Sequence, residues 1–216
     1  MGDPRIKGGG IETPSGFLFE LTGGRRCLDL ANTVDNRPSD APRERLDRYE
    51  DLVAWCEQSG MITAREGSDL RREARAHPRR AEAALGRARV LREALFGLFS
   101  AAAGGRPLPE SDLAILNGYL PEALARLRVS VGKGGAAWQW AAGKGDLERI
   151  LPPVIDDAAD LITSPLLTRV RECSSVSCSW LFLDNSHGRT RKWCDMSVCG
   201  NRAKARRHYR RSRKSS

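Results

Sequence analysis

The sequence predicts an α+β fold in two parts: a mainly α-helical N-terminal domain with one small β-hairpin, and a compact cysteine-rich domain after it. Apolar residues recur every three or four positions through most of the first part, which is the period of an amphipathic helix. Four of the six cysteines then fall between Cys173 and Cys199. The pattern predicts a disordered tail at 1–14, a helical domain at 15–165 and a cysteine-rich domain at 166–216.

The net charge of +9 belongs to the C-terminal quarter of the chain. Residues 165–216 hold 13 Lys or Arg against three acidic residues, a balance of +10, while the remaining residues hold 23 against 24, a balance of −1. A cationic surface confined to one end of a protein is typical of phosphate binding, and of nucleic-acid binding above all.

Several classes of protein fit the composition poorly. No stretch is apolar for long enough to cross a bilayer, and the first ten residues lack the apolar middle of a secretion signal, so we expect a soluble cytoplasmic protein. In that reducing compartment the isolated Cys27 and Cys56 are expected to be small buried apolar residues. The three histidines lack a convincing nucleophile or acid as a partner, and we predict no enzymatic activity.

The helical domain is predicted to open with a strand over residues 17–21, rich in Phe and Leu. Helical spacing from Arg26 then predicts a helix that Asn36 and Pro38 bring to an end.

Three polar residues lie on or near the outer face of this first helix: Asp29, Asn32 and Thr33. Groups of this kind often cap a helix or bond to a neighbouring strand or loop. The alternative is that they line a small-molecule pocket.

Three amphipathic helices should follow, over 45–58, 64–76 and 80–103. Thr63 and Glu66 have the spacing of a capping box at the start of the second. The third carries a continuous leucine and alanine stripe and ends at Gly104.

Two more helices and a hairpin complete the domain. Ser111 or Asp112 can cap a helix that reaches Leu124, although Pro121 predicts a break within it. A paired proline at 152–153 is typical of a helix start, and that helix should end at Ser164.

Between these helices the apolar period changes to two. Val129 and Val131 alternate with polar residues, and Trp138 and Trp140 do so again after a glycine-rich turn, which predicts a β-hairpin. We expect the two tryptophans to cover a helix layer, with a small-molecule pocket as the alternative.

The cysteines of the second domain form two C-x4-C pairs separated by fifteen residues: Cys173 with Cys178, and Cys194 with Cys199. Four thiolates at paired short spacings are the ligand set of a closed, tetrahedral structural zinc site. His187 or His208 could replace a cysteine ligand, but the four cysteines already fill every corner. With no open position for water or substrate, one Zn²⁺ should hold the fold and perform no chemistry.

The segments around the cysteines predict a treble-clef-like zinc finger with four cysteine ligands. A strand at 169–171 leads directly into Cys173, so the finger should pack on the helical domain. The strand formers at 179–183 and the turn at 184–188 predict a hairpin with 189–193. A basic helix over 200–213 should begin beside the last cysteine pair, and Trp180 and Trp193 should form a small core around the metal.

Both parts resemble a known bacterial family. The pattern Cys173, Cys178, Trp193, Cys194, Met196 and Cys199-Gly200-Asn201-Arg202, with Lys204, is similar to the CGNR zinc finger family. Upstream, Leu28-Asp29-Leu30-Ala31-Asn32-Thr33 resembles the LDFxNT-type signature of the ABATE domain, which precedes the finger in that family. The resemblance implies a transcription regulator linked to stress responses.

The cationic residues of the finger are candidates for nucleic-acid contacts. They are Arg189, Arg191 and Lys192 before the second cysteine pair, and Arg202, Lys204, Arg206, Arg207 and Arg210 on the helix. Arg202, Arg206 and Arg210 repeat every four residues and share a helix face. We expect the finger to bind DNA while the helical domain senses a small-molecule effector or forms a homodimer. The alternative is a zinc-dependent module that binds RNA or an acidic protein.

Overall fold

The computed structural model describes residues 10–13, 16–132 and 134–212, with the backbone alone at 208, 210 and 211. Within these ranges the chain is about half helical and its strands form small antiparallel pairs, which confirms the predicted fold class. The helices are α1 Arg26–Ala31, α2 Tyr49–Gln58, α3 Ala64–Ala76, α4 Pro78–Ala103, α5 Glu110–Leu124, α6 Pro152–Thr163 and α7 Asn201–Ser212.

The strands pair two by two. They are β1 Gly10–Thr13 with β2 Gly16–Phe19, β3 Val34–Asp35 with β4 Arg43–Glu44, β5 Leu127–Gly132 with β6 Gly135–Trp140, and β7 Val170–Glu172 with β8 Leu181–Leu183. A 3₁₀ turn, Pro165–Arg169, joins α6 to β7.

The long helix α4 organises the main core. It contacts α1, α2, α3, α5 and both β7 and β8. Its predicted apolar stripe is fully buried, including Leu85, Leu91 and Leu95. Cys27 and Cys56 are also fully buried in this core, as predicted. No helix among the described residues is both long and apolar enough to cross a membrane.

The capping box at the start of α3 is confirmed, because Glu66 N–H donates to Thr63 and the Glu66 carboxylate accepts from Thr63 N–H at 2.8 Å. The predicted break at Pro121 is wrong: α5 continues to Leu124. Pro121 lies in the last turn, where its missing N–H costs the helix a single internal hydrogen bond.

Two predicted helices were too long at one end. The first ends at Ala31 and not near Asn36, because the Thr33 hydroxyl donates to Leu30 O at 2.8 Å and the chain enters β3. The second begins at Tyr49 and not at Arg45, whose guanidinium is held by the buried Asp35 carboxylate at 2.6 Å.

The tail prediction was wrong for residues 10–13, which pair with β2 as strand β1. Residues 1–9 and 14 of that predicted tail lie outside the described residues.

The hairpin β5–β6 exists as predicted, but the role given to its tryptophans was wrong for Trp138. That side chain is 71% exposed and covers no helix layer, while Trp140 at the base of the hairpin is half-buried. The alternation of apolar residues predicted the strands correctly, but it could not show that nothing in the described chain lies over their apolar face.

The strand pairing in the finger also differs from the prediction. Strand β8 pairs with β7, Val170 opposite Leu183 and Glu172 opposite Leu181, and not with 189–193. The two strands are joined by the turn that contains Cys178, so the metal-binding turn itself closes the hairpin. The returning segment is held by Ser174 N–H, which donates to Lys192 O at 2.9 Å.

Candidate metal centre and nucleic-acid interface

Strand β8 separates two cores. Leu181 and Leu183 point into the main core, while Phe182 between them is fully buried against the cysteines. This follows from the alternation of side chains along a strand. The finger is therefore packed on the helical domain, as predicted.

The four cysteines meet on the other side of β8. Cys173 and Cys178 lie in the turn after β7, Cys194 precedes a π-helical turn, Met196–Gly200, and Cys199 lies within it. All four side chains are buried, and the four sulfur atoms lie within 4.8 Å of one another. The fold thus brings two cysteine pairs, which are separated by fifteen residues in the sequence, into one cluster.

The sulfur geometry fits a tetrahedral zinc ion. The Sγ atoms of Cys178 and Cys194 are 3.6 Å apart, and those of Cys194 and Cys199 are 3.7 Å apart. Four sulfurs about 2.3 Å from a central zinc would be about 3.8 Å from one another. No other group of three or more His, Cys, Asp or Glu side chains among the described residues has metal-binding geometry.

The electrostatics of the cluster also favour a bound cation. Hydrogen bonds from the thiols of Cys178, Cys194 and Cys199 lower the pKa of Cys173, and the same bonds to Cys173 raise the pKa of Cys178 and Cys194. Four thiolates this close would repel one another strongly. A divalent ion supplies the positive charge that lets all four ionise.

Trp180 and Phe182 are buried against the cysteines and Trp193 packs beside them, which confirms the small core predicted around the metal. The guanidinium of Arg191 lies over the Phe182 ring, 4.3 Å from its centroid. Arg191 also donates to the carbonyl oxygens of Trp193, at 2.9 Å, and of Cys194. Arg191 therefore holds the loop before Cys194 in place.

Asp184, which is fully buried, organises the loop after β8. Its carboxylate accepts from Ser186 N–H at 2.9 Å, from the Ser186 hydroxyl at 2.6 Å and from Arg191 N–H at 3.1 Å. Burial raises the pKa of the Asp184 carboxyl, but these hydrogen bonds lower it by a larger amount, so the net shift of the pKa is downward. The turn pattern at 184–188 did not indicate this role of Asp184, although an Asp two residues before a Ser is a recognisable Asx-turn pattern.

Asp195 and Gly200 lie at the two ends of the π-helical turn that leads into α7. The Asp195 carboxylate accepts from Val198 N–H at 2.8 Å, which caps the π-helical turn. The Met196 sulfur lies in the space that a Cβ atom on Gly200 would occupy, so a larger residue there would require the exposed Met196 side chain to move.

The predicted nucleic-acid residues have different surroundings. Arg189 and Lys192 are exposed on the loop, and Lys204 and Arg207 are exposed on α7. Arg202 and Arg206 are half-buried, and the side chain of Arg210 lies outside what is described. Among the α7 side chains that the structure describes, the exposed cations Lys204 and Arg207 therefore lie beside the predicted 202–206–210 face and not on it.

The N-terminal motif lies against the finger. The Asn32 side chain donates to Leu181 O and accepts from Leu181 N–H, both at 2.8 Å, and is buried. Alternate residues of β8 direct their backbone groups away from β7, and Asn32 satisfies those of Leu181 as a neighbouring strand would. Nearby, Leu183 N–H donates to Gly23 O at 2.8 Å.

Asp29 and Thr33, the other two residues of the motif, bond locally. Asp29 accepts from Gly23 N–H at 2.8 Å, and the Thr33 hydroxyl bonds to Leu30 O. Burial raises the pKa of Asp29 from 3.8 to about 7, opposed by the Gly23 bond and assisted by the nearby Asp157. The folded chain thus binds this proton more tightly than the unfolded chain, and the stability that Asp29 contributes falls as the pH rises through this range.

A small recess of about 20 Å³ lies where the domain meets the finger. Asp35 and Asn36 line it from the helical domain, and Trp180, Asp195 and Arg202 line it from the finger. It borders three of the metal ligands, Cys178, Cys194 and Cys199, and therefore belongs to the surroundings of the zinc site.

Comparisons with known proteins agree with this geometry. A family model described as "ABATE: Putative stress-induced transcription regulator" matches residues 24–165, and the model of the CGNR zinc finger matches residues 169–212. No curated protein matches the chain. The cysteine cluster lies inside the second match, and its four residues form the single zinc site of that finger.

Proposed function

Because this chain belongs to the ABATE family and carries a CGNR zinc finger, we propose that it regulates transcription by binding duplex DNA through the finger. The observation that carries the proposal is the zinc site, which holds a cationic loop and the start of a cationic helix in one rigid unit. A fixed array of cations loses less conformational entropy when it binds phosphates than an unstructured basic tail does.

The cations of the finger have two different roles in this proposal. Arg189 and Lys192 on the loop and Lys204 and Arg207 on α7 are free to reach phosphates, and Arg191 positions the loop by binding its carbonyl groups. The half-buried Arg202 and Arg206, together with Arg210, are the remaining candidates for phosphate contacts.

The salt dependence of binding tests this proposal. Replacing Lys204 and Arg207 together with Ala should weaken duplex binding and make the slope of log affinity against log salt shallower by about 1.8, since each phosphate contact contributes about 0.9. Fluorescence anisotropy with labelled duplex at several salt concentrations measures it.

The matched control is Arg75→Ala with Arg79→Ala, which removes two exposed arginines from the helical domain. An unchanged slope in the Lys204 and Arg207 variant would remove these contacts from the proposal. Competition by RNA or by an acidic protein, stronger than competition by duplex DNA, would favour the alternative interaction module.

For the helical domain we propose a role in sensing a small molecule or in dimerisation. Sensing would require the small recess beside Cys178 and Cys194 to widen, and a ligand bound there would then bias how the finger sits on the domain. The exposed hairpin β5–β6 supports dimerisation.

A further inference from the structure

The hairpin β5–β6 presents one uniformly apolar face. Residues directly opposite each other in an antiparallel pair lie on the same face. Three such pairs are apolar: Leu127 with Trp140, Val129 with Trp138, and Val131 with Ala136. The opposite face carries Arg128 and Gln139 as a pair. This is the pattern of a hairpin with one face packed and one in water.

The apolar face is open to solvent towards the turn. Val131 is 85% exposed, Trp138 71% and Val129 62%. These three side chains together expose roughly 400 Å² of apolar surface, as much as the largest apolar patch of a typical monomer. A patch of this size, with no charged residue among its described side chains, favours contact with another apolar surface.

The hairpin has little support from the rest of the described chain. Its two strands contact each other closely, and no other described helix or strand packs extensively on either of them. A lone two-stranded hairpin is marginally stable in water and is normally completed by a third strand or a covering layer.

We propose that a second copy of this chain covers the face, so that the hairpins of two protomers stack about a two-fold axis. Trp138 of each copy would then lie over the valines of its partner. A neutral, apolar face meets itself without charge repulsion, which is the condition for an isologous interface. The inference gives a surface to the dimerisation included in the proposed function.

The area agrees with a reversible dimer. Two such patches bury roughly 800 Å², and the half-buried Leu127 and Trp140 at the base extend the contact towards about 1,000 Å², the lower limit of a specific interface. We therefore expect dissociation in the micromolar range. In the dimer two fingers would be available to one duplex, as in regulators that read paired half-sites.

Analytical ultracentrifugation of the full chain without DNA tests the proposal, across about three decades of concentration around 1 µM. We expect a monomer–dimer equilibrium, and Trp138→Lys should weaken it by at least about 30-fold, the effect of losing a central tryptophan. Val131→Lys, at the most exposed position, should weaken it in the same direction and cannot disturb the fold of the monomer through lost packing.

The matched control is Ala137→Lys, which places the same charge one residue away on the opposite face. It should dimerise like the parent chain. A parent chain that stays monomeric at every concentration overturns the proposal, and so does a dimer that both Trp138→Lys and Val131→Lys leave intact. DNA is absent from the experiment, so its outcome is distinct from that of the salt-dependence test.

Discussion

Replacing Cys194 with Ser should release the zinc, unfold the finger and lower the affinity for DNA by at least about 100-fold. The Cys194 sulfur lies 3.6 and 3.7 Å from those of Cys178 and Cys199, so its loss opens the centre of the cluster. Structural zinc contributes roughly 10–16 kcal/mol to the folding of isolated fingers, far more than the small core around Phe182 can replace.

Three measurements detect these changes: the zinc content, the near-ultraviolet circular dichroism of Trp180 and Trp193, and the affinity for duplex DNA. Cys56→Ala is the thiol control, because Cys56 is buried in the main core, far from the cluster in sequence. It should keep its zinc and its affinity. If the Cys194→Ser protein binds DNA as tightly as the parent does, the metal does not organise the DNA-binding surface of the finger.

Replacing Asn32 with Ala should destabilise the protein by about 2–6 kcal/mol while leaving the zinc in place. The change leaves the N–H and C=O of Leu181 buried and unpaired, and each such group costs about 1–3 kcal/mol. The zinc ligands are untouched, so we expect the finger to remain folded and DNA binding to change little.

Urea unfolding gives the free-energy change, and hydrogen exchange at the Leu181 amide shows where it arises. Asn117→Ala, on the exposed surface of α5, is the matched control and should change stability by less than about 0.5 kcal/mol. Equal stabilities of the two variants would mean that Asn32 does not fasten the finger to the domain.

Features set by neighbouring residues could be predicted from the sequence. The Thr63–Glu66 capping box, the leucine stripe of α4 and the two cysteine pairs each depend on a spacing within a few residues. A helix period or a ligand spacing is a local property, so reading it needs no knowledge of the rest of the fold.

Features set by distant residues could not be predicted. Asn32 and Leu181 are 149 positions apart, and no local pattern indicates that an amide will complete a strand. The residues at 184–188 do form a turn, in which Asp184 accepts hydrogen bonds from its own loop. The predicted partner strand at 189–193 is wrong, because β8 pairs with β7. The exposure of Trp138 also depends on distant residues, because it arises only where no other part of the described chain packs on the hairpin.

X-ray absorption at the zinc edge of the purified chain, combined with its metal content, is the decisive test of the four-cysteine zinc site. Four buried sulfurs within 4.8 Å of one another predict one zinc per chain with four sulfur ligands at about 2.3 Å. A protein that folds and binds DNA with no zinc, or with oxygen or nitrogen in place of any of the four sulfurs, would contradict it.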